Sequence, residues 1–425
     1  MLKDILGVVG TRYLIAILNF ALVLINAKAL GIEGVGMIGL IIACISIILI
    51  VNGVFSGNML VYFLSRYPAR RLFPVASVWA FVGSGAACGV MYGLGIIPEN
   101  YLADIYGLSV LNALVTGNMR LLLGCGRIKG FNLTYLLQGG LLFFFVLYFY
   151  YIAGRREVEA YIWSAYLTNG AAFLASIAWL LPDLLKGKPE STGKPLSAML
   201  KEMFAYGLWG VADNMAETCT TRLNYFFIER LAGLGSVGLF DAGTKISESV
   251  WHISRSIAFI EYSRIAQTAD RAEQKRITLR LFKFTALALT ATMAAILLIP
   301  ERIYTGYLFS PEFAGIRNVI GALSCGIIAL GCHSIFSHYF IGSGKIKYST
   351  AASCIGLATL LIAGYYLTPA YGITGSAASV SIASVAMLLF SLCVFARQTK
   401  STLADFLPDR NDYLYLKEKC KKPSK

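Results

Sequence analysis

The sequence predicts an all-α polytopic membrane protein of about twelve transmembrane helices, arranged as two six-helix bundles that repeat in parallel. Three observations carry this. The chain is 57% hydrophobic and only 14% charged over 425 residues, whereas soluble domains carry about 25% charge. Its apolar runs repeatedly reach the roughly 20 residues that a helix needs to cross a bilayer. Short glycine-rich phrases also recur half a chain apart, in the same order.

The runs predict spans at 13–30, 38–63, 73–97, 101–124, 131–153, 160–181, 203–228, 237–262, 281–300, 314–341, 348–368 and 373–396. The first has no small-residue cleavage site after it and reads as a retained helix that also directs insertion. Basic residues set the orientation. With the N-terminus cytoplasmic, 27 Lys and Arg fall in the cytoplasmic connections and tail and six in the opposite ones, which places both termini in the cytoplasm. The net charge of +14 thus reports topology and contact with anionic headgroups. No soluble basic stripe alternates with aromatics, so no nucleic-acid partner is expected.

The repeat is read from two echoes. Residues 28–37, KALGIEGVGM, align without a gap on 230–239, RLAGLGSVGL, at a spacing of 202. Residues 124–129, GCGRIK, match 342–347, GSGKIK, at a spacing of 218. A duplicated unit with an even number of spans enters the membrane twice in the same direction, giving repeats related by an axis along the membrane normal. The implied organisation is an N-terminal lobe at 1–182, a cytoplasmic linker at 183–202, a C-terminal lobe at 203–396 and a basic cytoplasmic tail at 397–425. The linker holds two prolines, two glycines and four lysines, the composition of an exposed connection.

Function is sought among charges that no connection accounts for, since a charge at a helix centre costs about 2.5–3.5 kcal/mol on insertion scales. Four cations (Arg120, Arg222, Lys245, Arg255) and five acids (Asp213, Glu217, Asp241, Glu248, Glu261) fall inside spans, eight of them in the seventh and eighth. In DAGTKISESVWHISR the residues Asp241, Lys245, Glu248, His252 and Arg255 step by four and three. They fall within an arc of about 80° on one helix face, so this stripe faces water or a complementary helix. The seventh span offers a polar row of Asp213, Glu217, Thr220 and Asn224; Arg222 lies outside it. In the fourth, Asn112, Thr116 and Arg120 share a face. Two readings stay open for these charges: mutual neutralisation between helices, or a hydrated, net-basic cavity in which Arg and Lys hold an anionic group. In the second, the nearby carboxylates tune affinity or carry a coupling proton or cation.

Catalysis finds no footing. There is no GxxxxGK[ST], HExxH or nucleophile elbow, and no connection is long enough for a catalytic domain. Nine cysteines form no CxxC and read as small helix-packing residues. His333 and His338, five apart, are badly spaced for a shared metal, so no metal and no resident cofactor are expected.

The order of Arg12 before the first span, ALGIEGVG after it, GSGKIK after the tenth, and YGITGSAASVSIAS opening the last resembles the polysaccharide flippases. These are lipid-linked oligosaccharide exporters, O-antigen transporters included, of the multidrug/oligosaccharidyl-lipid/polysaccharide (MOP) superfamily. The family's closing motif, YGxxGAA, has Ser376 here in place of Ala. The resemblance implies two six-helix bundles around a V-shaped cavity. It implies movement of an undecaprenyl-pyrophosphate-linked repeat unit, used for lipopolysaccharide or other polysaccharides, from the cytoplasmic to the periplasmic leaflet of a bacterial inner membrane. It also implies H+ or Na+ coupling and contact with polysaccharide assembly proteins. Carried onto this chain, the diphosphate-binding role falls on Lys245 and Arg255, then Arg222 and Arg120. Asp213, Glu217, Asp241, Glu248 and His252 remain as ion-coupling or tuning groups. The first two spans add little charge beyond Arg12, Lys28 and Glu33. An ion-coupled multidrug or metabolite exporter of the same superfamily is the alternative; a polysaccharide polymerase or ligase fits less well.

Overall fold

A computed structural model describes residues 2–185 except 58 and 65, 195–267, and 270–406 except 344 and 346. The described residues fold into helices: α1 (Leu2–Ser56), α2 (Met59–Phe63), α3 (Ala69–Gly93), α4 (Leu102–Gly124), α5 (Ile128–Leu147), α6 (Val158–Leu185), α7 (Leu196–Gln267), α8 (Arg271–Leu298), α9 (Glu301–Ile303), α10 (Ile316–Gly342) and α11 (Lys347–Thr399). Seven helical stretches among them are long and apolar enough to cross a membrane. The larger number read from the sequence counts the more polar α4 and α7, and counts α1, α7 and α11 twice. Each of those three is interrupted by one glycine with non-helical dihedrals: Gly31 (φ 70°, ψ −173°), Gly233 (φ 78°, ψ 175°) and Gly372 (φ 58°, ψ −136°). The connections that the sequence predicts as turns are therefore single-residue breaks.

Gly31 and Gly233 occupy the same position in the two copies of the first echo. Left-handed φ at that point costs a residue with a Cβ roughly 1–2 kcal/mol, which accounts for glycine in both. Breaking the helix at Gly31 frees the Ile32 amide, and it donates to the Glu312 carboxylate at 3.1 Å. Beside the second break, the Arg230 guanidinium donates to the carbonyls of Leu94 and Gly95 at 3.0 and 3.1 Å. A further pair, Gly154 (φ 69°) and Gly372, stands at the spacing of the second echo. The repeat is thus visible in the backbone as well as in the sequence.

The chain forms two compact units, residues 1–242 with 304–314, and 243–303 with 315–425. In the first, α4 is surrounded by α1, α3, α5 and α6. One end of this unit is sealed by a cluster that includes Phe55, Leu60, Phe63 and Leu72 with Met199 and Met203 of α7. There Gly207 lies so close to the Val54 carbonyl that no Cβ fits. A second cluster joins Leu22 and Ile38 to Tyr150 and Tyr161; Tyr150 sits in a π-helical turn, Tyr148–Ile152. In the second unit α10 is wrapped by α11 and α8. An aromatic cluster of Phe336, Tyr339, Phe340 and Phe395 closes one end of it. The described cysteines are all free thiols.

Candidate functional site

In the first unit a chain of polar side chains spans the Gly233 break of α7. Arg222 and Tyr225 are three residues apart and so share a helix face. The Arg222 guanidinium donates to the Tyr225 hydroxyl at 3.2 Å, with its Cζ 5.7 Å from the ring centroid. Tyr225 in turn donates its hydroxyl proton to Asp241 Oδ1 at 2.9 Å. Phe240 fixes the Tyr225 ring edge-on, with centroids 5.3 Å apart.

Tyr225 is fully buried and Asp241 only 2% exposed, so this is a carboxylate held in an apolar surrounding. A buried charge persists when hydrogen bonds replace its hydration, and one phenol supplies such a bond while accepting another from a cation. Gly39 makes the space: a Cβ there would stand 3.0 Å from Asp241 Cγ. Arg222 and Asp241 each make further interactions, so the arrangement is one strand of a larger network.

A second polar feature ties α4, α5 and α6 together. The Gln138 amide donates to Asn112 Oδ1 at 3.1 Å and to Asn169 Oδ1 at 3.0 Å. Each asparagine amide donates to the carbonyl four residues before it, Asn112 to Leu108 and Asn169 to Ala165. The polar row read on the fourth span therefore begins in an amide ladder between helices. Two turns along, Arg120 is half-buried and makes no hydrogen bond or ion pair with the described residues. A guanidinium offers five donors in a planar fork, which suits an anionic group.

The other sequence-derived candidates are placed as follows. Glu217, Lys245 and Glu248 are half-buried, and each is engaged with other groups. Asp213, His252 and Arg255 lie on the helical backbone of α7, but their side chains are outside the described residues, as are those of Arg12 and Glu261. The linker at 186–194 and the tail at 407–425 are outside them as well. Among the described residues no cluster of His, Cys, Asp and Glu is arranged to hold a metal ion.

Sequence reasoning missed Tyr225 and the Gln138–Asn169 pair. Tyrosine and glutamine carry no formal charge, so a search for intramembrane charges passes over them. The available signal was spacing: Tyr225 follows Arg222 by three and precedes the echo's glycines.

Comparison with known proteins fits this picture. Residues 188–312, which include all of α7, match the model of a family described as polysaccharide biosynthesis protein. No curated protein sequence matches the chain. Among solved structures, the lipid II flippase MurJ in an inward closed conformation superposes with a TM-score of 0.75 at 13% identity. The alignment covers 98% of this chain and 93% of that one. A multidrug resistance MATE family transporter of the MOP superfamily, inward-facing, gives 0.72 at 15% identity over 91% and 94%. The MATE multidrug transporter DinF-BH, in a ligand complex, gives 0.65 at 16% identity over 96% of each chain. The chain has the fold of these transporters, and the resemblance carried by the glycine motifs is supported by both the family model and the fold.

Proposed function

We propose that this protein is a flippase for lipid-linked oligosaccharides. It moves an undecaprenyl-pyrophosphate-linked repeat unit from the cytoplasmic to the periplasmic leaflet of a bacterial inner membrane, with both of its own termini in the cytoplasm. The observation that carries the reading is where the polysaccharide-family match falls. It covers 188–312, the stretch that holds eight of the nine charges inside spans. A neutral lipid chain with an uncharged sugar would need none of them; a diphosphate needs cations.

The roles divide accordingly. Arg120, unpaired among the described residues, is the group in the first unit best suited to a phosphate. Arg222 is held by Tyr225 and presents a fixed guanidinium; Lys245 and Arg255, later in the α7 sequence, are the cations proposed for the second unit. Asp213, Glu217, Asp241, Glu248 and His252 set the balance of charge and carry the H+ or Na+ that drives the cycle. Transport follows by alternating access. The substrate arrives from the glycosyltransferases that build the repeat unit and passes to the assembly proteins that polymerise it.

Deleting the gene tests this. The expected result is accumulation of lipid-linked repeat units in the cytoplasmic leaflet. Units that reach the periplasm but stay unpolymerised would instead assign the chain to polymerisation and end the flippase reading.

A further inference from the structure

The glycine breaks of α1 and α7 are each engaged by a connection from the other sequence repeat. The Glu312 carboxylate, between α9 and α10, accepts the Ile32 amide at 3.1 Å, just past the break at Gly31. The Arg230 guanidinium, just before the break at Gly233, donates at 3.0 and 3.1 Å to the carbonyls of Leu94 and Gly95, between α3 and α4. These two connections correspond, since they precede the fourth and the tenth predicted spans. Each also carries a Pro-Glu pair at a 3-10 turn, Pro98 with Glu99 and Pro311 with Glu312. All of these residues belong to the first unit. Both breaks stand at one end of it, because Gly36 lies against the Leu234 carbonyl and Gly238 against that of Ile32.

The chemistry of each contact follows from interrupting a helix. A helix N-terminus leaves amides without partners and carries partial positive charge; a C-terminus leaves carbonyls and partial negative charge. Glu312 meets the first kind, where the second half of α1 begins. Arg230 meets the second kind at the end of α3, whose last helical residue is Gly93. The sign of the side chain is right in both cases.

Glu312 sits on a strap. Residues 304–314 belong to the first unit, although the residues on either side of them belong to the second. The strap is stiffened by its own packing, with Phe309 and Phe313 buried and their ring centroids 5.0 Å apart. Its base is closed by the Gly315 amide, which donates to the Glu301 carboxylate. Gly315 then turns the chain into α10 with a left-handed φ of 91°. Both the Glu312 and the Arg230 contacts are exposed, so water replaces the lost partner when they part. Such contacts favour a closed state without making it permanent.

We propose that the Glu312–Ile32 contact and the Arg230 contact with Leu94 and Gly95 are the two halves of a reversible clasp. It holds this end of the first unit closed and releases it when the transporter opens there. The halves act together, because the glycine crossing joins the two breaks that they hold. The inference rests on the alternating-access reading and on no particular substrate.

The test is amide hydrogen exchange on the full chain in nanodiscs, resolved to single amides. Ile32 reports on one half. Gly95 and Ile96, whose amides donate to the Tyr92 and Met91 carbonyls at the end of α3, report on the other. Glu312→Ala should speed exchange at Ile32 about tenfold, as for loss of a charge-assisted contact, and should speed Gly95 and Ile96 as well. Arg230→Ala should speed Gly95 and Ile96 and, across the crossing, Ile32. Glu312→Gln and Arg230→Lys keep an acceptor and a donor and should retain most of the protection. Amides of residues 336–340 in the second unit should keep wild-type rates in all four variants, so failure to fold cannot mimic the result. Effects confined to the mutated contact, with the far reporter unchanged, would overturn the clasp and leave two independent helix caps. Exchange needs neither substrate nor transport, which keeps this outcome separate from failure of the flippase reading.

Discussion

Gly36 and Gly238 meet backbone to backbone: a Cβ on Gly36 would collide with the Leu234 carbonyl oxygen, and one on Gly238 with that of Ile32. The relation is reciprocal, because Ile32 and Gly36 are the counterparts of Leu234 and Gly238 at the spacing of 202. Two copies of one phrase pack on each other as the halves of a symmetric dimer would. Overpacking such a crossing costs about 1–3 kcal/mol. Gly36→Ala and Gly238→Ala should each lower the unfolding temperature of the detergent-solubilised protein. Gly235→Ala, whose Cβ would meet only Ile32 Cγ2 at 3.6 Å, should have a much smaller effect. Equal losses at all three positions would mean that helix-wide flexibility, not the crossing, is at stake.

The Tyr225 hydroxyl joins a cation to a buried carboxylate. Tyr225→Phe keeps the ring and its packing on Phe240 but removes both bonds. A cost of about 1–3 kcal/mol is expected for leaving the Asp241 carboxylate short of a donor. Measured in a double-mutant cycle, Tyr225→Phe and Arg222→Gln should be strongly non-additive, since each removes the same bond. Additive losses would show that the two side chains act separately.

Gln138 supplies both of its amide hydrogens to asparagines on different helices. Gln138→Leu should leave two carbonyl oxygens unpaired and destabilise the α4–α5–α6 packing by about 1–3 kcal/mol. Gln138→Glu should be worse, because a carboxylate offers acceptors to acceptors. Protease protection of the 125–157 region, compared across the variants, reads this out.

Asp405 carries a pH dependence whose sign is fixed. The Lys275 hydrogen bond first, and the Thr402 amide second, lower its carboxyl from the ordinary 3.8. A group depressed on folding contributes stability above its unfolded value and loses that contribution as the pH falls through its folded one. Docking of the 3-10 turn Leu403–Phe406, where Phe406 packs on Phe282, Phe336 and Phe395, should therefore weaken below about pH 4. Asp405→Asn should remove that acid limb. Peptic cleavage at Leu403 and Phe406, followed across the acid range, would show whether it does.

Much of this architecture was legible because membrane helices announce themselves by length and apolarity, and because Gly31 and Gly233 can be compared directly by position. Less legible was what each glycine does. The echo fixed where the two copies correspond, but only coordinates show that Gly36 and Gly238 touch each other. The candidate site was readable as charge and unreadable as connection. Asp241 and Arg222 stand out in an apolar sequence, whereas Tyr225, which links them, looks like one more aromatic. Similarly, Arg127 and Lys345 are equivalent in sequence, yet Arg127 pairs with the Asp183 carboxylate and Lys345 donates to the neutral Gln398 amide, each partner more than fifty residues away.

Movement of a lipid diphosphate-linked sugar between leaflets can be measured on the purified chain alone. The protein is reconstituted in proteoliposomes with a fluorescent undecaprenyl-pyrophosphate oligosaccharide, and quenching by a membrane-impermeant reductant is followed. Wild type should expose the inner-leaflet pool, and Arg120→Gln and Tyr225→Phe should slow this by tenfold or more, with protein levels unchanged. Leaflet exchange no faster than in protein-free liposomes, under both inward and outward H+ and Na+ gradients, would contradict the flippase assignment.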